Sequence, residues 1–171
     1  MAQGWWEPLK ASLGDRSLLV EQVGTTAGGL GWKSALVGGG VRDLLLGREV
    51  ADLDIVVEGD AQAVAKALVV EFGGTVLCHA PFGTATWETD QGAVDLTTAR
   101  TETYAHPGAL PDVTPSTLAL DLARRDFTIN AMALSLFPEE RGQLLDIHGG
   151  VTDLESKVLR VLHPKSFYDD P

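Results

Sequence analysis

The sequence has few of the features that mark secreted or membrane proteins. Its single cysteine, Cys78, excludes an intrachain disulfide framework and is typical of a protein in a reducing compartment. No apolar run is long enough for a membrane-spanning helix, and the first ten residues lack the basic and apolar segments of a signal peptide. The four histidines and the cysteine show no zinc-binding spacing. We therefore expect a cytoplasmic protein that does not enter a membrane.

Positive charge is also scarce. The chain has 13 lysines and arginines against 24 aspartates and glutamates, a formal net charge of −11 at pH 7. This balance argues against unaided binding of nucleic acid, which usually needs a basic surface, but it is compatible with a site that holds cations. With 171 residues, 44% of them hydrophobic, the chain is long enough for one domain with a substantial core.

Apolar periodicity and glycine or proline breaks divide the chain into short helices and strands. We predict helices at residues 5–28, 41–47, 60–74 and 117–132, and a last helix or helix and strand within 152–162. Residues 34–40 are predicted to form a short strand that runs into a glycine turn, and further strands are predicted at 51–58, 75–80, 84–90, 93–99, 132–137 and 143–147. Residues 101–116 contain three prolines and a glycine and are predicted to form a loop. Strands joined both as hairpins and across a helix predict one α/β (α+β) domain with a mixed sheet.

A glycine-rich turn follows the first predicted strand in LVGGGVRD, residues 36–43. Backbone N–H groups at Gly39 and Gly40 would point outward at a helix start, and the missing side chains would let a phosphate approach closely. Arg42, in the first helical turn, is placed to bind phosphate oxygens with its guanidinium group. Taken alone, the pattern fits equally well a tight strand-to-helix turn with a surface arginine.

Two acids interrupt an otherwise apolar strand in VADLDIVVEG, residues 50–59. Because side chains alternate along a strand, Asp52 and Asp54 are predicted to share one face while Leu53 and Ile55 point to the other. Paired carboxylates suit Mg²⁺, which binds one or two carboxylates plus substrate phosphates and would offset their repulsion. The alternative is two exposed aspartates on an edge strand, which is disfavoured because strands are depleted in aspartate.

Two further positions lie in or just after another predicted strand. Asp95 interrupts AVDLTTAR and would be a third metal ligand if its strand neighbours residues 51–57. The alternative is a hydrogen-bonded aspartate at a sheet edge. Arg100 could reach a phosphate or form a surface salt bridge.

A cluster of charges precedes an apolar stretch in LARRDFTINAMA, residues 122–133. Arg124 and Arg125 would bind phosphates, and Asp126 would accept a hydrogen bond from a ribose hydroxyl. Without the other motifs, the segment fits better an N-cap at Asp126 with two solvated arginines.

Together and in this order, the motifs resemble the head domain of class II tRNA nucleotidyltransferases, which include CCA-adding enzymes and bacterial poly(A) polymerases. The segment LVGGGVRDLLLGREVADLDIVV, residues 36–57, is similar to the family's strand, glycine turn and D-x-D pattern, and DLARRDFTINAMAL to its second signature. The resemblance extends from residue 34 to residue 171. We therefore expect an N-terminal helical extension at residues 1–33 and a head domain at residues 34–171.

The resemblance implies the nucleotidyltransferase fold of the polymerase β superfamily, a mixed sheet with flanking helices. It implies transfer of AMP or CMP from ATP or CTP to an RNA 3′-hydroxyl, with the tRNA 3′ end as expected substrate and two Mg²⁺ ions as cofactors. By position it assigns Asp52, Asp54 and Asp95 to metal binding, Gly39 and Arg42 to the triphosphate, Arg124, Arg125, Asp126 and Asn130 to the sugar and phosphates, and Asp170 to the helix that leads out of the head.

The chain ends at SFYDDP, where the family continues into a neck domain that reads the incoming base and into tRNA-binding domains. We expect these domains to be absent, so that RNA binding needs a partner chain and neither ATP nor CTP is favoured. Two alternatives stay open. The chain could be a nucleotide-binding head without independent turnover, or a nucleotidyltransferase acting on a protein or small molecule, against which the RRDFTIN signature argues.

Overall fold

The computed structural model describes residues 4–79, 83–103, 105 and 112–163. The α-helices are α1 (Trp6–Leu13), α2 (Ser17–Gly29), α3 (Gly39–Leu45), α4 (Ala61–Phe72), α5 (Leu118–Ala123) and α6 (Gly150–Glu155), with 3-10 turns at Gly14–Arg16, Thr128–Asn130 and Pro138–Glu140. The strands are β1 (Ser34–Val37), β2 (Asp54–Val57), β3 (Thr75–His79), β4 (Thr84–Thr89), β5 (Gly92–Thr98), β6 (Arg100–Thr103), β7 (Asp112–Pro115), β8 (Met132–Ser135) and β9 (Leu144–Asp146). No helix within these ranges is long and apolar enough to cross a membrane.

Seven of the strands form one sheet in the order β3-β4-β5-β2-β1-β8-β9. Strands β2 and β5 run parallel, whereas the other neighbouring pairs are antiparallel, which confirms the predicted mixed sheet. The parallel pair arises because the chain leaves β2 through α4 and runs through the antiparallel strands β3 and β4 before β5 returns beside β2. This crossover brings two aspartates from distant parts of the sequence into adjacent strands.

One face of the sheet is covered by helices and contains the main core. Helices α2 and α4 contact each other and the sheet, and the inward-facing side chains of Leu36, Ile55, Trp87 and Leu96 are almost completely buried. The N-terminal helices supply part of the same core through Leu9, Leu13, Leu19, Val20, Val23 and Ala27. The division between residues 33 and 34 stays a prediction.

The opposite face of the sheet is only partly covered. A small cluster that includes Leu122 of α5 packs there, and its members are Ala35, Val37, Val56, Ala99, Leu122 and Ala133. Beside this cluster the face is open. Because Ile55 and Leu96 fill the core side, the alternation of side chains along β2 and β5 places Asp54 and Asp95 on the open side.

Two of the helix predictions are wrong in detail. The helix predicted at residues 5–28 is two helices, because Gly14, with a φ of +56°, ends α1 and a 3-10 turn leads into α2. The helix predicted at residues 117–132 ends at Ala123. Further along, Phe127 is extended and pairs with Val161, so the helix cannot continue through it.

The loop predicted at residues 101–116 is also wrong in part. Strands β6 and β7 pair antiparallel, with Arg100 opposite Pro115 and Thr103 opposite Asp112. Proline is tolerated in such a two-stranded edge because its missing N–H can face away from the partner strand. By contrast, the hairpin predicted from residues 132–137 and 143–147 is confirmed as β8 and β9.

Candidate active site

Two carboxylates lie side by side on the open face of the sheet. In the parallel register of β2 and β5, Asp54 is directly opposite Asp95, and both residues are exposed. Asp95 was predicted to be a metal ligand if its strand neighboured residues 51–57, and β5 does lie beside β2. The hydroxyl group of Thr86 on β4 donates a hydrogen bond to Oδ1 of Asp95 at 2.5 Å, which orients that carboxylate.

Asp52 reaches this region without belonging to a strand. The prediction that it shares a strand with Asp54 is wrong, because β2 begins at Asp54 and the three preceding residues are irregular. This irregular segment is nevertheless fixed. The carbonyl oxygen of Leu53 accepts a hydrogen bond from the N–H of Asp95 at 2.9 Å. A Cβ atom on the buried Gly40 would lie 3.3 Å from the carbonyl oxygen of Asp52, so this glycine of the predicted phosphate-binding turn also packs against the acidic segment.

The acidic side chains act on one another electrostatically. Loss of surrounding water raises the pKa of Asp54, and the negative charges of Asp95 and Asp52 raise it further. The positive charge of Arg125 acts in the opposite direction. Three carboxylates and one guanidinium group therefore lie within electrostatic reach of each other around the start of β2.

The donor set fits a divalent cation. Carboxylate oxygens that repel one another are hard ligands, and Mg²⁺ typically binds one or two of them and completes its shell with water and substrate phosphates. Among the residues that the structure describes, no group of three or more His, Cys, Asp or Glu side chains is arranged to hold a metal ion. The pair Asp54 and Asp95 matches the smaller carboxylate set that Mg²⁺ uses when phosphates supply the remaining ligands.

The turn between β1 and α3 brings two arginines close to these acids. Gly38 has a φ of +68°, which favours glycine, and a Cβ atom there would lie 3.2 Å from Nη1 of Arg125. A Cβ atom on Gly39 would lie 3.4 Å from Nη2 of Arg42. Both guanidinium groups therefore pass directly over the glycine turn, where a larger side chain would displace them.

Arg42 links the two sequence signatures. Its Nη1 donates a hydrogen bond to Oδ1 of Asn130 at 2.9 Å, and its Nε and Nη2 bind the carboxylate of Asp43 at 3.0 and 3.2 Å. The Arg42 side chain is 31% exposed. It is therefore an anchored, partly open guanidinium group, and not the fully solvated surface arginine of the alternative interpretation.

The remaining arginines are organised by Asp121, which the sequence analysis did not single out. Asp121 is completely buried. Its Oδ1 accepts hydrogen bonds from Nη2 of Arg124 at 3.0 Å and from the N–H of Arg100 at 3.2 Å, and its Oδ2 accepts one from Nη2 of Arg125 at 3.1 Å. The signal that could have found Asp121 is its spacing, three and four residues before the two arginines, which places the three side chains on one side of a helical turn.

A second carboxylate joins this arginine cluster. Oε1 of Glu102 lies 2.8 Å from Nη2 of Arg100 and 3.1 Å from Nη1 of Arg124, and the Glu102 side chain is 10% exposed. The surface salt bridge considered for Arg100 is therefore a largely buried one. In the part of the chain that the structure describes, three arginines thus contact two carboxylates beside the acidic site.

The segment between the arginines and Asn130 differs from the sequence interpretation. Asp126 is exposed, and the N-cap interpretation is wrong, because Phe127 is extended and the 3-10 turn Thr128–Asn130 has no side-chain cap. Asn130, at the end of this turn, contacts Arg42. The last predicted site residue, Asp170, lies outside the described residues.

A buried carboxylate supports the turn that carries Asn130. Oδ2 of Asp153 accepts hydrogen bonds from Nε of Arg160 at 2.9 Å and from the hydroxyl group of Thr128 at 2.7 Å. The bond from Arg160, and to a smaller extent that from Thr128, holds the pKa of Asp153 below its usual range. The Asn130 turn is thus attached to α6 by the hydrogen bond from Thr128 to Asp153, whose carboxylate also pairs with Arg160.

The chain matches known proteins along most of its length. The poly A polymerase head domain family matches residues 34–160. An A-adding tRNA nucleotidyltransferase of Halalkalibacterium halodurans is 47% identical over 158 residues, which cover 92% of this chain and 37% of that protein. Another, of Aquifex aeolicus, is 52% identical over 139 residues, or 81% of this chain and 17% of that protein. The structure of a Thermotoga maritima CCA-adding enzyme complexed with tRNA matches 99% of this chain and 38% of its own, with 38% identity and a TM-score of 0.85.

The mixed sheet and its structural likeness define a protein of the nucleotidyltransferase fold. The chain belongs to the poly A polymerase head domain family, which confirms the resemblance seen in the sequence. It spans 37% and 17% of the lengths of the two tRNA nucleotidyltransferases described above.

Proposed function

We propose that this chain is the catalytic head of an RNA 3′-end nucleotidyltransferase. It transfers AMP or CMP from ATP or CTP to the 3′-hydroxyl of tRNA in the cytoplasm, with release of pyrophosphate. The observation that carries the proposal is the register of β2 and β5, which sets Asp54 beside Asp95 on the open face and within electrostatic reach of Arg125. The names of the relatives and the tRNA bound to the Thermotoga maritima enzyme support tRNA as the substrate.

The acidic half of the site would hold Mg²⁺ through the pair Asp54 and Asp95, with Asp52 as the further ligand that the resemblance to the family implies. When bound, two such ions lower the pKa of the attacking hydroxyl group and neutralise charge on the leaving pyrophosphate. The protein's own contribution is to keep these carboxylates oriented and charged. Thr86 fixes Asp95, and the positive charge of Arg125 opposes the rise in the pKa of Asp54.

The basic half would bind the nucleotide. Arg42 and Arg125 cross the glycine turn at Gly38 and Gly39, where small residues leave room for phosphate oxygens. Fixed positive groups at this place stabilise the charge that develops on the leaving phosphates without having to reorganise during the reaction. The position of Asn130 orients Arg42 for this task.

The other residues predicted to contact the nucleotide differ in burial and in their neighbours. Arg124 and Arg100 belong to the cluster around Asp121 and would contribute charge from a second layer behind Arg125. The exposed Asp126 would accept a hydrogen bond from a ribose hydroxyl group. Gly40 packs against the acidic segment, and its backbone N–H group in the first turn of α3 would contribute to phosphate binding.

A second candidate function is nucleotide binding that leads to turnover only when a partner holds the RNA. The net charge of −11 favours it, because contacts with RNA phosphates usually need a basic surface. In this case the chain binds ATP or CTP with Mg²⁺ but adds nothing to tRNA by itself.

The test is incorporation of α-labelled ATP and CTP, with Mg²⁺, into tRNA that lacks its terminal A or its whole CCA end. Wild-type protein should incorporate label, and Asp54→Asn should not. The matched control is Asp90→Asn, an exposed aspartate in the turn between β4 and β5, which should leave incorporation unchanged. Equal incorporation by Asp54→Asn would contradict the proposal. Nucleotide binding without incorporation by the wild type would favour the second candidate.

A further inference from the structure

The segment that carries Asp52 depends on individual contacts for its shape. Residues 48–53 form neither helix nor strand, and the backbone ladder between β2 and β5 extends into them through the bond from the N–H of Asp95 to the carbonyl oxygen of Leu53. The segment is nevertheless anchored, because Val50 is completely buried and Leu53 is 3% exposed, whereas Asp52 between them is exposed. The direction in which Asp52 points is therefore set by whatever holds the backbone on either side of it.

Arg16 holds the backbone immediately before Asp52. Its Nη1 donates a hydrogen bond to the carbonyl oxygen of Val50 at 3.0 Å, and its Nη2 donates one to that of Ala51 at 2.6 Å. The rigid fork of a guanidinium group suits two neighbouring carbonyl groups, which a single ammonium group would match less well. Ser12 adds weaker contacts, at 3.4 Å, with the N–H of Val50.

The two carbonyl groups that follow are held from other directions. Gly40 of α3 packs closely against the carbonyl group of Asp52. The N–H of Asp95 donates a hydrogen bond to the carbonyl oxygen of Leu53. Each carbonyl group from residue 50 to residue 53 therefore has an identified neighbour. Arg16 supplies the neighbours of the first two of the four, and its Nε would lie 3.7 Å from a Cβ atom on Gly92 at the start of β5.

We propose that Arg16 is a positioning residue for Asp52, an inference that rests on the proposed function of Asp52 in metal binding. Arg16 lies in the 3-10 turn between α1 and α2, outside residues 34–160 that match the family. The N-terminal helices thus do more than complete the core, because one of their side chains sets the backbone of the acidic segment. Loss of Arg16 frees this backbone and weakens metal binding without removing any ligand.

The first experiment needs no metal. Amide hydrogen exchange is measured on the whole chain for the N–H of Asp95, which is bonded to the segment at Leu53. Arg16→Met, which keeps an apolar stem but no donors, should speed this exchange about tenfold, the value expected for the loss of roughly one net hydrogen bond. Arg16→Lys should give an intermediate rate.

The matched control is Arg141→Met. Arg141 also holds α2, through Glu21 at 3.2 Å and Thr25 at 3.3 Å, but it approaches from the turn between β8 and β9. If Arg16 only stabilised the N-terminal helices, both methionine variants would change the exchange of Asp95 alike. That result, or no change in Arg16→Met, would overturn the inference.

The second experiment measures binding of MnCl₂ by electron paramagnetic resonance, with and without ATP. Arg16→Met should raise the dissociation constant of Mn²⁺ about tenfold. Arg16→Lys should restore part of the affinity, and Arg141→Met should bind like the wild type. Unchanged Mn²⁺ affinity in Arg16→Met would overturn the inference. If the wild type transfers no nucleotide, the proposed function fails separately, because the exchange of Asp95 still reports whether Arg16 holds the segment.

Discussion

The acidic and basic halves of the candidate site are held in place by different means. Asp54 and Asp95 are fixed by the pairing of two strands, so their positions depend on many backbone hydrogen bonds. Arg124 and Arg125 are fixed by side-chain contacts with the buried carboxylate of Asp121, and Arg124 also contacts Glu102. A single substitution can therefore disorder the basic half, whereas the strand pairing that sets Asp54 beside Asp95 persists when one of their side chains changes. A substitution in the acidic half should therefore lower activity without lowering stability. A substitution in the basic half should lower both.

The largest expected effect is on nucleotide transfer by Asp54→Asn. The rate should fall about a thousandfold, because a metal-binding carboxylate contributes several kcal/mol of charge stabilisation in the transition state. The fold should persist, since the strand pairing is unchanged. The measurement is single-turnover transfer of α-labelled nucleotide, and a residual rate near that of the wild type would show that Asp54 is no ligand.

The same variant should become more stable when no metal is present. A raised pKa in the folded state means that the charged carboxylate of Asp54 destabilises the protein at neutral pH, and this cost is lost as the pH falls through the raised value. Asp54→Asn should therefore unfold at a higher urea concentration than the wild type at pH 7, and the two should converge in acid. A loss of stability at pH 7 would contradict this account of the acidic half.

A smaller but still large effect is expected in the basic half. Asp121→Asn removes a buried charge that holds two arginines, which should lower the free energy of unfolding by about 3–5 kcal/mol. ATP affinity should fall in the same variant, because Arg125 is no longer fixed at the glycine turn. The measurements are urea unfolding and ATP titration.

A double-mutant cycle sharpens this prediction. After Arg125→Met, the further change Asp121→Asn should cost little additional ATP affinity, since the side chain that it orients is already gone. Additive losses of affinity would show that Asp121 acts by another route.

A more modest effect is expected at the hydrogen bond between Thr86 and Asp95. Thr86→Val keeps the shape of the side chain but removes the donor, which should lower the transfer rate about tenfold, as expected for a hydrogen bond to a charged group. Thr75→Val is the control, because Thr75 lies on the same sheet face but on the edge strand β3. Equal rates for the two variants would mean that strand pairing alone orients Asp95.

The smallest expected effect concerns the turn that carries Asn130. Because the pKa of Asp153 is lowered in the folded state, its charge stabilises the protein above the ordinary carboxylate range, and this contribution is lost as the pH falls through the lowered value. Asp153→Asn should therefore unfold at a lower urea concentration than the wild type at neutral pH, and the two should converge in strong acid. A constant difference across the pH range would exclude the charge of Asp153 as its source.

The acidic half was largely predictable from the sequence. Alternation of apolar and polar residues along a strand is a local signal, and it correctly put Leu53 and Ile55 in the core and Asp54 on the open face. Asp52 is exposed, as the alternation predicts, but its assignment to the strand was wrong, because β2 begins at Asp54. The segment before Asp54 is shaped by contacts with Arg16 and other distant residues, and no local pattern encodes them.

The basic half was predictable only in part. The RRD signature pointed to Arg124 and Arg125, but not to the buried Asp121 that orients them. The link from Arg42 to Asn130 joins residues that are far apart in the sequence, and periodicity cannot reveal such a contact. The pairing of β6 with β7 was missed because the prolines at 107, 111 and 115 predicted a loop, although Pro115 lies at the end of a two-stranded sheet that tolerates it.

The parallel pairing of β2 and β5 also bears on how the protein folds. Helix α4 and strands β3 and β4 lie between Asp54 and Asp95 in the sequence, so the contact between the two aspartates closes a long loop. Pairings of this kind form more slowly than local hairpins. A nascent chain released before β5 has therefore already made Asp52 and Asp54 but has no complete acidic site. The pair of carboxylates at the candidate site therefore forms only in the step that joins β5 to β2.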